Sequence, residues 1–231
     1  MQLCGRLVVK IAGERVERQL PGRQGRLLLA YLVANRSRTL TRDELVGAVW
    51  EDGRDGGLAP LLSKLRRAVP LDGLRVDLAP DAWVDVEAAA DAVHRAESAL
   101  AQDEFHRAWG PAQVAMFVAG RPFLPEAESG WVDDERRHLA ELHVRAVEAY
   151  ARAGLGIGGT ELAAAVRAGR TLVRSEPYRE SGYRLLMEAL EREGNRAEAV
   201  RVYDQLRRRL RDELGLAPSA ETQDLHRRLL G

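Results

Sequence analysis

Cysteine is nearly absent: Cys4 is the single one in 231 residues. No disulfide within the chain and no zinc site built from several cysteines is therefore available, which fits a reducing compartment. Lysine is almost as scarce, Lys10 and Lys64 against 33 arginines, a bias of GC-rich coding rather than of mechanism. Aromatic residues make up 5%, so a core must be built from Leu, Ala and Val, which suits packed helices. No stretch approaches about 18 consecutive apolar residues, so neither a membrane span nor a membrane partner is expected. Met1 to Lys10 lacks the basic start and apolar run of a signal peptide, and the expectation is a cytoplasmic protein.

Chemistry-bearing constellations are missing too. There is no Walker loop and no nucleophile elbow. The five histidines, His94, His106, His138, His143 and His226, include no pair four residues apart on one helix face, so no metal is expected. Gly154-Leu155-Gly156-Ile157-Gly158-Gly159 spells GxGxxG. The dinucleotide fingerprint needs a strand before it, and here a helix precedes, so the run reads as a loop between paired helices. The sequence predicts no enzyme and no cofactor.

What is present is a change of character near residue 84. Residues 1–84 hold 14 Arg or Lys against 10 Asp or Glu, a balance of +4, and residues 85–231 hold 21 against 25, a balance of −4. The first twenty residues alternate as strand, turn, strand, with Leu3, Leu7, Val9 and Ile11 before Ala12-Gly13-Glu14 and Val16 and Leu20 after it. From Arg23 the period turns helical, with Leu27, Leu28, Tyr31 and Leu32 on one face. A second helix opens at Thr41, where Thr41-Arg42-Asp43-Glu44 forms a capping box. A Gly/Asp-rich loop at 51–57 leads to a third helix from about Leu58 to Val69, in which Leu58, Leu62, Leu65 and Val69 share one stripe. Ser63 and Arg67 fall opposite that stripe, with Lys64 and Arg66 on its flanks. Asp72-Gly73 is a turn, Leu74, Val76 and Leu78 alternate as a short strand, and a turn follows at 79–81.

After Asp85 the pattern is helical almost to the end, with helices expected near 85–103, 105–119, 132–154, 159–174, 178–193, 196–213 and 219–230. Gly159 and Gly194 mark turns within two successive helix pairs and lie 35 residues apart, close to the tetratricopeptide period. Pro177 and Pro218 stand where the second helix of each pair must stop. The whole reads as an α+β DNA-binding module at 1–84 followed by an all-α, tetratricopeptide-like domain of helical repeats at 85–231.

These residues also carry a likeness. Leu27–Trp50, Leu61-Leu62-Ser63-Lys64-Leu65-Arg66-Arg67-Ala68 and Trp83-Val84-Asp85 resemble an OmpR-type winged helix, as in the Streptomyces antibiotic regulatory protein family. Phe123-Leu124-Pro125, Trp131-Val132, Glu176-Pro177-Tyr178-Arg179-Glu180-Ser181, Gly194-Asn195-Arg196-Ala197-Glu198-Ala199 and Leu210-Arg211-Asp212-Glu213-Leu214-Gly215 resemble the bacterial transcriptional activation domain found with it. The resemblance implies a third helix that reads the major groove and a β-hairpin wing on the adjacent backbone or minor groove. Here the first wing strand looks shortened or missing, because only a few residues separate Val69 from Leu74. Many relatives carry a sensor domain further along; this sequence stops at Gly231, so any sensing is expected from elsewhere.

The candidate DNA contacts are Ser63, Lys64, Arg66 and Arg67 on the third helix. Thr41 and Arg42 join them at a helix start whose free amides favour a phosphate, with Arg38, Arg54 and Arg75 on loops. Partners implied are double-stranded DNA, RNA polymerase or another regulatory protein, and a second copy in a homodimer. Two readings stay open. One is a sequence-specific transcriptional activator. The other is a helical-repeat interaction scaffold whose winged helix no longer binds DNA, motivated by the short wing and the modest charge.

Overall fold

A computed structural model describes residues 1–50, 53–79 and 81–231. The expected loop at 51–57 and the turn at 79–81 therefore lie partly outside the described residues. The chain is mostly helical, with two small antiparallel strand pairs. It divides into two compact units, Met1–Ala89 with Val118–Ala140, and Ala90–Phe117 with Glu141–Gly231. Compactness thus groups the residues differently from a single cut after residue 84.

The first unit opens with strands β1 (Lys10–Ile11) and β2 (Glu14–Arg15), joined by the two-residue turn Ala12-Gly13. Three helices follow: α1 (Gly22–Ala34), α2 (Arg42–Val49) and α3 (Leu58–Leu65). A second pair, β3 (Leu71–Asp72) and β4 (Arg75–Val76), closes the run. The helices pack because their leucines recur at helical spacing. Leu28, Leu29, Leu32, Leu45, Leu58 and Leu65 are fully buried.

Three local expectations change. The third helix stops at Leu65, not at Val69. Beyond it the chain tightens into three-residue turns, Arg67 N–H to Lys64 O at 3.3 Å and Ala68 N–H to Leu65 O at 2.9 Å, and Pro70 bars continuation. The first wing strand is short, as the sequence suggests: it is the two-residue β3. The second is shorter than expected, since Leu78 falls outside it. The long alternation at the N-terminus gives only short strands, because residues 17–19 coil into a 3₁₀ turn.

Asp85 anchors the start of the chain. Its fully buried carboxylate accepts from Leu3 N–H at 2.8 Å, Cys4 N–H at 2.9 Å and Val86 N–H at 3.0 Å. Segment 122–124 runs beside the same stretch, with Gly5 N–H to Pro122 O at 2.7 Å and Leu124 N–H to Leu3 O at 3.1 Å. Burial pushes the Cys4 thiol up to about 12, so it is a core residue with little nucleophilic character.

The remaining helices are α4 (Asp85–Leu100), α5 (Phe105–Ala119), α6 (Gly130–Ile157), α7 (Leu162–Ser175), α8 (Glu180–Arg192), α9 (Arg196–Arg209) and α10 (Ala220–Leu230). All seven expected helices are present. Within the second unit one core is alanine-rich, with Ala96, Ala99, Ala108, Ala112, Ala149 and Ala153 beside the stacked rings of Trp109 and Tyr150, 4.0 Å apart. A second core gathers Tyr183, Met187, Leu190, Tyr203, Leu206 and Leu225 from α8, α9 and α10. Small side chains permit the close approach. A Cβ on Gly156 would stand 2.2 Å from the Phe105 ring, and one on Gly154 would stand 2.8 Å from Trp109. Gly154 and Gly156 lie inside α6 rather than in a loop, and these contacts account for both.

Candidate nucleic-acid interface

Helix α3 turns all four of its leucines inward. Leu58, Leu61, Leu62 and Leu65 are buried, while Ser63 and Lys64 are exposed. Arg66 and Arg67 are exposed too, in the turn just past its end. Among the described residues, the side chains of Ser63, Lys64 and Arg67 make no hydrogen bond or ion pair. Arg54 is exposed on the loop before the helix.

The other candidates are held by the protein itself. Thr41 forms the capping box that the sequence predicts: its hydroxyl accepts from Glu44 N–H at 3.3 Å, and Glu44 Oε2 accepts from Thr41 N–H at 2.7 Å. Arg38 Nη1 donates to Glu44 Oε1 at 2.5 Å. Arg42 Nη2 donates to Asp55 Oδ2 at 2.5 Å, and Asp55 Oδ1 accepts from Gly57 N–H at 2.9 Å and Leu58 N–H at 2.6 Å. Asp55 therefore pins the start of α3 to the start of α2. It leaves Gly57, at φ +115°, to serve as the N-cap, a conformation that glycine adopts without a Cβ clash. At the other end of α3, Arg66 Nη2 donates to Gly73 O at 2.9 Å in the β3–β4 turn. Arg75 Nη2 donates to Arg36 O at 3.2 Å, and Arg36 is locked in a two-pronged pair with Glu87 at 2.7 and 2.5 Å. These bonds tie α2, α3, the hairpin and the 35–38 turn into one basic surface. Each bonded guanidinium keeps N–H donors to spare.

Two carboxylates shift with this architecture. The amide of Thr41 and then the Arg38 guanidinium hold Glu44 down, from 4.5 to about 2. Asp55 is lowered by the Leu58 and Gly57 amides first and by Arg42 after them. A depressed folded value means that the Glu44 contribution is present above about pH 4.5 and is lost as the pH falls through about 2. Side-chain NMR of the folded protein should accordingly show Glu44 still ionised at pH 3.5, and Arg38→Ala, which removes the guanidinium, should raise its midpoint toward the ordinary range. An ordinary midpoint in the wild type would contradict the capping geometry.

Sequence reasoning missed Asp55 and Trp131. Asp55 had a readable signal, Asp-x-Gly just before an apolar helix. Trp131 had none, because its role is long-range. Its indole Nε1 donates to Ala48 O at 3.0 Å, satisfying one of the last carbonyls of α2. Its ring meets Tyr31 edge-on at 5.1 Å and Phe123 at 5.9 Å. Helix α3 is thus part of a unit that includes residues 118–140. Among the described residues, no group of three or more His, Cys, Asp or Glu is arranged to hold a metal, and no helix is long and apolar enough to cross a membrane.

Residues 84–230 match the family of the bacterial transcriptional activator domain. The chain belongs to that family. It is 31% identical over 217 residues to "Regulatory protein AfsR" of Streptomyces griseus, an alignment covering 90% of this chain and 22% of that protein. It is 27% identical over 245 residues to "Transcriptional regulatory protein EmbR" of Mycobacterium tuberculosis, covering 99% of this chain and 62% of EmbR. The solved structure of Mycobacterium tuberculosis EmbR in complex with low affinity phosphopeptide superposes with a TM-score of 0.82 at 24% identity, over 99% of this chain and 64% of that one. At that identity the superposition shows a shared fold. The chain therefore spans under a quarter of AfsR and under two thirds of EmbR. The likeness to Streptomyces antibiotic regulatory protein-type regulators is borne out, and the family's function class is transcription regulation.

Proposed function

We propose that the chain is a sequence-specific DNA-binding transcriptional activator of the cytoplasm, built as an α+β winged helix followed by an all-α, tetratricopeptide-like domain. In this reading α3 enters the major groove, Lys64, Arg67 and Ser63 meet bases and phosphates, and the β3–β4 hairpin is a short wing. Thr41, Arg42, Arg38, Arg54, Arg66 and Arg75 frame the backbone contacts. The domain from residue 85 onward serves self-association as a homodimer, or contact with RNA polymerase or another regulatory protein.

The observation that carries the reading is the division of labour on α3. All its leucines face inward, and its exposed cationic and hydroxyl groups have no partner among the described residues. Groups left free at the centre of a basic surface are available to a polyanion.

Duplex binding should be steeply salt-dependent. With roughly four to six phosphate contacts, the log–log slope of affinity against salt is about −4 to −5. Fluorescence anisotropy with genomic promoter fragments between low and physiological salt measures it. A specific observation favours the scaffold reading: Arg38, Arg42, Arg66 and Arg75 are already bonded within the protein. That alternative predicts no salt-sensitive duplex binding at micromolar protein.

A further inference from the structure

A second basic feature lies on the first unit and shares no residue with α2, α3 or the β3–β4 hairpin. It is a groove of about 870 Å³ between the 5–7 stretch, the start of α1 and the Leu124–Ala127 loop. Its floor is apolar: Leu27 and Leu124 are 7% and 6% exposed, with Leu7 and Pro125 beside them. Its rim carries Arg6, Arg18, Arg23 and Arg26.

The state of those arginines is informative. Arg6 and Arg18 are exposed, and their side chains have no hydrogen bond or ion pair among the described residues. Arg23 and Arg26 reach only to Glu128 and Glu126, at 3.8 and 3.5 Å, and those carboxylates are 89% and 87% exposed. Such loose, solvated pairs are worth little and yield readily to a competitor. The third carboxylate nearby, Glu17, is already taken by Arg15 Nε at 2.6 Å. The groove thus presents four arginines around an apolar floor, and two of them already reach toward carboxylates, those of Glu126 and Glu128.

We infer that this groove docks an acidic, amphipathic segment of a protein partner, with an aliphatic or aromatic side chain on the Leu27–Leu124 floor and Asp or Glu residues against the arginine rim. A duplex backbone satisfies the rim but offers nothing to the apolar floor, so an acidic peptide is the better complement in both charge and polarity. The inference does not rest on the duplex reading, since the two surfaces are built from different residues.

The test uses the full chain and a fluorescein-labelled Asp- and Glu-rich peptide with interspersed leucines. Two control peptides replace either the acids by Asn and Gln or the leucines by Ser. The variant is Arg6→Glu with Arg18→Glu, two exposed positions whose side chains hold nothing in the fold. Micromolar binding is expected, weakened about tenfold or more by the variant and by each control peptide, as loss of charge-assisted contacts and apolar burial requires. Affinity for a promoter duplex should change less than about threefold in the variant, because its contacts lie elsewhere. Three results would overturn the inference: no binding of the acidic peptide, equal binding by wild type and variant, or displacement of the peptide by duplex with an equal loss of duplex affinity. The last would assign the groove to phosphates.

Discussion

Lys64→Glu combined with Arg67→Glu should weaken promoter binding by a hundredfold or more, while the melting temperature stays close to that of the wild type. The two side chains are exposed and unbonded among the described residues, so the fold loses nothing when they change. Two contacts to base or phosphate at about 1.4 kcal/mol each already amount to a hundredfold, and reversed charge adds repulsion. Arg66 is a poorer probe. Its guanidinium holds the Gly73 carbonyl of the β3–β4 turn, so its removal disturbs the hairpin as well as any contact to DNA. Anisotropy or gel-shift titrations beside thermal melts decide the matter. Equal duplex affinities for the double variant and the wild type would remove α3 from the interface.

Asp85→Ala should be the most destabilising single change. The carboxylate is fully buried and receives three backbone amides, two of them from Leu3 and Cys4, 82 and 81 residues away. Alanine leaves those amides without an acceptor, at about 1–3 kcal/mol for each, so a loss of roughly 3 kcal/mol or more is expected. Asp85→Asn keeps the shape and one acceptor oxygen and should fall between. Denaturant midpoints give the energies. Thiol labelling supplies an independent readout, because Cys4 is buried beside the same carboxylate and should become reactive once the Leu3–Cys4 stretch loosens. A cost below about 1 kcal/mol, with Cys4 still protected, would mean that the Leu3–Cys4 stretch is held by its apolar side chains instead.

These two residues mark the boundary of what the sequence discloses. The Thr41–Glu44 cap, the inward leucines of α3, the helices from Asp85 onward and the Pro177 stop after α7 were all legible, because each depends on neighbours within about one helical turn, whereas the run after α9 ends at Gly215 and not at Pro218. Asp85 reads locally as an acidic residue at a helix start; that its oxygens serve Leu3 and Cys4 is a matter of contacts more than eighty residues long. Trp131 reads as one more apolar position, yet its indole completes α2. The end of α3 was overestimated because Val69 continues the apolar stripe, while the tightening at Arg66–Ala68 leaves no mark on hydrophobic periodicity. Among the candidate contacts, residue type and face were readable, but which arginines the protein keeps for itself was not. Arg38, Arg42 and Arg75 find partners in Glu44, Asp55 and the Arg36 carbonyl that spacing alone does not reveal.

The grouping of residues 118–140 with the N-terminal stretch bears on how the protein can be dissected. A fragment ending at residue 84 would leave the Ala48 carbonyl without its indole donor, Tyr31 and Cys4 without the segment that covers them, and the amides of Leu3 and Cys4 without Asp85. Such a piece is wounded along a whole flank, and poor solubility or absent DNA binding in it would report the cut, not the natural activity. The shortest excerpt that keeps this half intact reaches to Ala140.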